Sequence, residues 1–204
     1  MAKLYFRYGA MNSAKSANLL MVAHNYQSQN KPVLLMKPAK DTRWDAITSR
    51  AIAEKGLART FTDEENVYDI IAEHCATNQI YAVLIDEATF MNEEQVFQLT
   101  QVVDKLNIPV LCYGLKNRAA YGKLFAGSAA LLYWADSIEE IKTVCQYCNK
   151  KATQNLMLIN NVPEYHPAEI VMADIDGDLK IIPACRMHYL NPPEADNGNQ
   201  QKNI

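Results

Sequence analysis

Leu4-Tyr-Phe-Arg-Tyr-Gly9-Ala-Met-Asn-Ser-Ala14-Lys15-Ser16 is the stretch on which the fold turns. Leu4 to Tyr8 reads as a strand, and Gly9 follows at once. From Lys15 to Gln29 the pattern is helical, with Leu19, Leu20 and Ala23 on one side. The linking segment, Gly9, Ala10, Met11, Asn12, Ser13, Ala14, Lys15 and Ser16, fits the phosphate-loop pattern GxxxxGK[ST] at every position but one. A loop placed between a strand and a helix turns its N–H groups inward, and the positive end of the helix faces the same point. In such a loop Lys15 reaches the β- and γ-phosphates of a nucleotide and the Ser16 hydroxyl binds Mg²⁺. A plain strand–loop–helix with a surface lysine is the simpler reading, but strand, glycine, Lys-Ser and helix occurring in this order argue against it. The one departure is Ala14, where the pattern has its second glycine. If that position needs φ > 0, alanine costs more than about 1 kcal/mol there.

Downstream, Pro32 to Met36 is a short apolar strand, and residues 38–65 read as polar and irregular. Val67 to Thr77 is a helix. Ile80 to Ile85 is an unbroken apolar run, as expected of a strand buried on both faces of a parallel sheet, and it ends in Asp86-Glu87. Ligands of parallel α/β sheets sit at the carboxyl ends of the strands, so Asp86 is placed to hold Mg²⁺ and Glu87 to act as a base. Two acids after a strand are a weak signal alone, since they also cap helices; a phosphate loop upstream makes them a strong one. Asn92 and Gln95 have the capping-box spacing, followed by an apolar face of Val96, Leu99, Val103 and Leu106. Pro109 to Tyr113 is a further buried strand and Gly127 to Trp134 a short helix. Strands alternating with helices predict an α/β protein: a parallel sheet with helices on both faces.

Near residue 140 the pattern changes to short alternating segments and turns, including Asp176-Gly177, a hairpin signal. Here Cys145-Gln-Tyr-Cys148 and Cys185-Arg-Met-His188 form two i, i+3 pairs separated by 36 residues. That is zinc-ribbon spacing with three thiolates and one imidazole, and four protein ligands make the metal structural. His24, His74 and His166 lack partners at ligand spacing, and Cys75 and Cys112 lie in apolar runs as core residues. The expected organisation is an ATP-binding domain over 1–140, a zinc-binding lobe over 141–190 and a polar, disordered tail over 191–204. Neither an apolar run of membrane-spanning length nor a signal-peptide core is evident, so a cytoplasmic protein without a membrane partner is expected. A net charge of -3 speaks against nucleic acid as a partner.

Taken together these stretches resemble the zinc-containing thymidine kinase family of bacteria and the animal cytosol. The resemblance runs from about residue 3 to 190. It rests on Phe6 to Ser16, Lys40-Asp-Thr-Arg43, Asp86-Glu-Ala-Thr-Phe90, Ile108 to Leu115, Leu124-Phe-Ala-Gly-Ser128, Ile138 to Cys145 and Cys185-Arg-Met-His-Tyr189. It implies a homotetramer of subunits with a phosphate-loop domain and a zinc lobe, whose long lasso loop, within 162–182, closes over thymine largely by backbone hydrogen bonds. It implies ATP and Mg²⁺ as well as the structural Zn²⁺, and thymidine and deoxyuridine as substrates. Glu87 becomes the base for the 5′-hydroxyl, Asp41 and Arg43 lie near the metal and phosphates, and Ala88 and Thr89 join the ATP site. Met11, Tyr121, Phe125, Asp176, Gly177, Asp178 and Ile181 fall at the nucleoside pocket.

Four positions depart from the family pattern. Besides Ala14, Thr89 stands in place of glutamine. Lys116-Asn-Arg-Ala-Ala-Tyr-Gly122 replaces an Arg-Thr-Asp-Phe stretch, and Ile181 takes the place of a lasso tyrosine. Two other functions are weighed against this one. The first is a zinc-ribbon ATPase acting on nucleic acid, which the acidic charge opposes. The second is a nucleotide-binding relative with weakened chemistry, against which stand Lys15, Ser16, Asp86 and Glu87.

Overall fold

A computed structural model describes residues 1–40, 46–48, 55–167 and 178–193. Its main sheet has six strands in the order β5-β2-β6-β7-β1-β8. These are β1 (Leu4–Gly9), β2 (Val33–Pro38), β5 (Arg59–Phe61), β6 (Ala82–Ile85), β7 (Val110–Leu115) and β8 (Ser137–Glu140), and every neighbouring pair is parallel. Helices α1 (Lys15–Gln27), α2 (Val67–Thr77), α3 (Glu93–Gln101) and α4 (Ala126–Trp134) connect and cover them.

Side chains alternate between the two faces of a strand, and both faces here are apolar. Leu35, Leu84, Leu111 and Tyr113 point to one side and pack with Leu19, Leu20 and Ala23 of α1. Phe6, Met36, Val83, Ile85, Val110 and Cys112 point to the other and pack with Val67, Ile71, Val96, Leu99 and Leu131 of α2, α3 and α4. The expected α/β architecture, with helices on both faces of a parallel sheet, is the one observed.

Several local expectations are met. Asn92 accepts from the Gln95 N–H at 2.8 Å while the Gln95 side chain reaches back to the Asn92 N–H, closing the capping box at the head of α3. Cys112 is fully buried, and that burial pushes its thiol well above the ordinary range. Others are corrected. Residues 38–65 are not irregular throughout: β3 (Ala46–Thr48) and β4 (Lys55–Leu57) form an antiparallel pair, and β5 joins β2 at the sheet edge. The α-helix itself stops at Gln101, where a π-helical turn over Val102–Leu106 begins and Asn107, at φ 52°, closes it, while Val103 and Leu106 still pack in one core with Val96 and Leu99. Cys75 is only half-buried at the margin of the core.

The second sheet has three antiparallel strands, β10-β9-β11, over Gln154–Ile159 (β9), Val162–Glu164 (β10) and Leu179–Ala184 (β11). Asn160 and Asn161 both take φ > 0 (51° and 63°) between the paired residues Ile159 and Val162. That is the two-residue hairpin turn for which asparagine is suited. Helix α5 (Arg186–Leu190) follows β11. Among the described residues, no helix is long and apolar enough to cross a membrane.

Candidate active site

No side chain fits at Gly9, the last residue of β1. A Cβ on Gly9 would lie 2.2 Å from Ser13 Oγ and 2.6 Å from the Ile141 carbonyl oxygen. The loop then passes through two left-handed residues, Asn12 (φ 57°) and Ala14 (φ 58°, ψ 32°). Ala14 is the cap of α1, and its carbonyl accepts the first helical bond, from the Asn18 N–H at 2.9 Å. The conditional expectation about Ala14 is thereby resolved: the position does need φ > 0, and alanine there costs roughly 1–2 kcal/mol. Left-handed turns of this kind make a concave cluster of backbone N–H groups suited to an anion. The Lys15 ammonium folds back over the loop, donating to the Ala10 carbonyl at 2.9 Å and to Ser13 Oγ at 3.4 Å.

Asp86 and Glu87 stand at the carboxyl end of β6, two strands away. The Ser16 hydroxyl donates to Asp86 Oδ2 at 2.8 Å, and the Glu87 N–H donates to Asp86 Oδ1 at 3.0 Å. Asp86 is 6% exposed. Burial, and then the neighbouring Glu87 charge, push its carboxyl up to about 7, against the pull of Ser16, the Glu87 N–H and Lys15. Glu87 is half-buried and left-handed (φ 48°, ψ 36°), and it starts a 3₁₀ turn over Ala88–Phe90. Backbone strain in a non-glycine residue persists only where surrounding contacts impose it, and such residues cluster at functional sites. The imposing contacts here are tight. A Cβ on Gly127 of α4 would lie 2.5, 2.8 and 2.9 Å from the carbonyl oxygens of Ala88, Met91 and Thr89.

Ala88 and Thr89 are both buried. The Thr89 hydroxyl accepts from the Leu115 N–H at 2.7 Å and lies 3.3 Å from the Leu115 carbonyl. Thr89 therefore pins the end of β7. Ser128 donates to the same carbonyl at 2.5 Å.

The described residues expected at the nucleoside pocket lie on loops, at the head of α4 and on β11. Phe125 is buried and packs edge-on to Phe90 with ring centroids 5.5 Å apart. Tyr121 is 55% exposed, lies parallel to Tyr189 of α5 at 6.4 Å, and its N–H donates to the Tyr165 carbonyl. Met11 is half-buried, and Ile181 pairs with Met157 across β11 and β9, with Asp178 just before β11. Asp41, Arg43, Asp176, Gly177 and most of the expected lasso, 168–177, lie outside the described residues, as does 194–204.

The donor atoms of Cys145, Cys148, Cys185 and His188 all lie within 4.8 Å of one another. Cys148 Sγ is 3.9 Å from Cys185 Sγ, and His188 Nδ1 is 3.4 Å from Cys145 Sγ and 3.6 Å from Cys185 Sγ. A tetrahedral zinc with Zn–S of about 2.3 Å has S···S edges of about 3.8 Å, so these spacings fit it. Although burial opposes it, hydrogen bonds from the Cys185 and Tyr147 N–H groups and from His188 bring the Cys145 thiol down to about 6, toward the thiolate a metal needs.

Sequence reasoning missed Asn155 of β9. It is 1% exposed, accepts from the Met11 N–H at 2.8 Å through Oδ1, and donates to the Asn117 carbonyl at 2.9 Å through Nδ2. It also missed the group formed by Arg7 Nη1, Tyr113 Oη and Asn18 Oδ1 behind the loop. Neither has a spacing motif, so neither carries a local signal.

Phosphoryl transfer asks little covalent chemistry of a protein: it needs phosphates held in line and their charge neutralised. The carboxyl end of the sheet, with the loop after β1 and the acids after β6, meets that need, and the class is an ATP-dependent kinase on an α/β scaffold. Comparison with known families narrows it. The thymidine kinase family model matches residues 2–189, and the chain belongs to that family. Proteins named thymidine kinase from Streptococcus pyogenes serotype M3 and Lactococcus lactis are 45% and 46% identical to it. In each case the match covers 193 residues, 94% of this chain and 99% of the relative. A thymidine kinase from Streptococcus agalactiae serotype Ia is 44% identical over the same span.

Proposed function

We propose that the protein transfers the γ-phosphoryl group of ATP to the 5′-hydroxyl of thymidine, and of deoxyuridine, giving the 5′-monophosphate and ADP. The observation that carries the reading is the Ser16 Oγ–Asp86 Oδ2 bond of 2.8 Å, which brings a phosphate-loop hydroxyl and an acidic strand end to one point beside Glu87. The family membership supplies the nucleoside.

In this reading the loop residues Gly9 to Ser16 cradle the phosphates and Lys15 swings from the Ala10 carbonyl onto them. Ser16 and Asp86 are oxygen donors of the kind Mg²⁺ takes. Mg²⁺ held there would supply positive charge to offset the negative charge that develops on the phosphates. Glu87 accepts the proton of the 5′-hydroxyl as that oxygen attacks the γ-phosphorus and the bond to the ADP oxygen breaks. Asp41 and Arg43 act on the phosphate side. Met11, Phe125, Tyr121 and the lasso residues Asp176, Gly177, Asp178 and Ile181 enclose the base. Residues 1–140 serve as the ATP-binding unit and 141–190 as the zinc and lasso unit. Cys145, Cys148, Cys185 and His188 would fill all four positions of a tetrahedral zinc, which would make its role structural. The assembly is a homotetramer.

A transfer assay across thymidine, deoxyuridine, deoxycytidine and the purine deoxynucleosides tests this. Thymidine and deoxyuridine should both react. Deoxyuridine lacks only a methyl, worth about 0.8 kcal/mol of burial. Purines present a different edge, leaving the site's own groups unpaired, and should be excluded. A preference for deoxyadenosine or deoxyguanosine would overturn the nucleoside while leaving the kinase.

A further inference from the structure

The phosphate loop is shaped from outside as well as by its own sequence. It contains two non-glycine residues in left-handed conformation, Asn12 and Ala14, and it lacks the glycine that would relax the second. Such a backbone persists only if its neighbours over-determine it. The contacts that do so come from beyond the main sheet. The Ile141 carbonyl closes on the α-carbon of Gly9, the Thr143 hydroxyl donates to the Asn12 carbonyl at 3.4 Å, and Asn155 Oδ1 accepts from the Met11 N–H at 2.8 Å.

Asn155 is the most constrained of these. It sits on β9 of the second sheet, is 1% exposed, and uses both ends of its carboxamide. Oδ1 takes the loop N–H and Nδ2 goes to the Asn117 carbonyl, in the stretch that leaves β7. A buried amide with both ends committed in this way has one rotamer and one orientation. It occupies the Met11 N–H and fixes the backbone immediately before the left-handed Asn12.

We infer that Asn155 is a positioning residue for nucleotide binding: through Met11 it makes the shape of the phosphate loop depend on the zinc-bearing unit. The inference rests on the proposed phosphate-binding role of the loop. The zinc-bearing unit is thus a structural support of the ATP site as well as the carrier of the lasso. Removing Asn155 releases the Met11 N–H and lets Asn12 and Ala14 relax toward ordinary backbone angles, at the expense of the anion-binding shape.

The test uses the full-length zinc-replete protein and measures ADP binding without nucleoside, alongside the separate KM values for ATP and thymidine. Asn155→Ala should weaken ADP binding about tenfold, the equivalent of about 1.4 kcal/mol. The ATP KM should rise more than the thymidine KM, and zinc content should stay unchanged. Asn155→Ser keeps an oxygen that can accept from Met11 and should recover part of the loss. It carries the test if the alanine variant does not fold. Wild-type ADP affinity in a folded, zinc-replete variant overturns the inference, whatever happens to its Tm. A rise in the thymidine KM alone also overturns it, since that marks a nucleoside contact. If the wild-type protein itself bound no ADP, the loop's phosphate role would fail first, and a variant comparison would not be needed to see it.

Discussion

Ser16 and Asp86 meet over the end of β7: the hydroxyl at the head of α1 donates to the buried carboxyl at the tip of β6 at 2.8 Å, with one strand between them. Asp86 thus faces the loop with one oxygen and receives the Glu87 N–H on the other. Glu87, turned through a left-handed angle, is left half-buried beside them. Adjacent carboxylates are given separate work by one backbone reversal.

The first expectation concerns that division. Glu87→Gln keeps size and shape and loses the base, so kcat should fall about 10²–10⁴-fold, the usual range for general base catalysis. ADP binding should remain near wild type. Steady-state kinetics with a parallel binding measurement check it, and a variant within a few-fold of wild-type kcat removes Glu87 from proton transfer.

Ala14→Gly should stabilise the protein. Glycine relieves roughly 1–2 kcal/mol of left-handed strain and gives back about 0.4–1 kcal/mol through a more flexible unfolded chain. The net gain of about 0–1.6 kcal/mol should raise Tm by up to about 6 °C, at the 2–4 °C per kcal/mol expected for a chain of this length. Calorimetry reads the sign directly, and nucleotide affinity should be equal or better. A lower Tm would mean that the alanine methyl makes a contact worth more than the strain.

Metal analysis should find one zinc per chain. Chelation, or Cys148→Ser, should lower Tm, because metal binding to thiolates and imidazole is folding free energy for a unit this small. Unchanged stability after complete zinc removal would contradict the structural role given to Cys145, Cys148, Cys185 and His188.

Two glycine substitutions should separate sterics from strain. In Gly127→Ala the new methyl meets three backbone carbonyls at 2.5–2.9 Å. Helix α4 must then move off the turn that carries Glu87. A loss of about 1–3 kcal/mol is expected, as for other overpacked sites, together with a fall in kcat. Gly122 has φ 65° and open space around its α-carbon. Gly122→Ala should therefore cost about 1–2 kcal/mol of backbone strain and leave kcat alone. Equal kcat in both variants would show that α4 does not support the catalytic turn.

Much of the site was legible because its signals are local. A strand running into Gly9 and out at Lys15-Ser16, an apolar run ending in Asp86-Glu87, and two Cys/His pairs at i, i+3 each declare their chemistry within a few residues. The Asn92–Gln95 box did the same for the head of α3. The π-helical turn after Gln101 escaped because its apolar spacing is what a continuing α-helix would also show. Strand β5 escaped for another reason: three residues at a sheet edge carry too little periodicity to stand out from a polar stretch.

The sequence by itself determined the α/β class, the strand–loop–helix over Leu4 to Gln27, the acidic strand end and the Cys145, Cys148, Cys185 and His188 group, since these depend on residue type and on spacing along the chain. Only the tertiary structure decided that Ala14 is left-handed, that Thr89 is spent on Leu115, and that Asn155 reaches Met11 from 144 residues away. Those facts depend on which buried donors and acceptors are left for one another once the strands are ordered. Each such group must find a partner, and the chain's linear order does not say which.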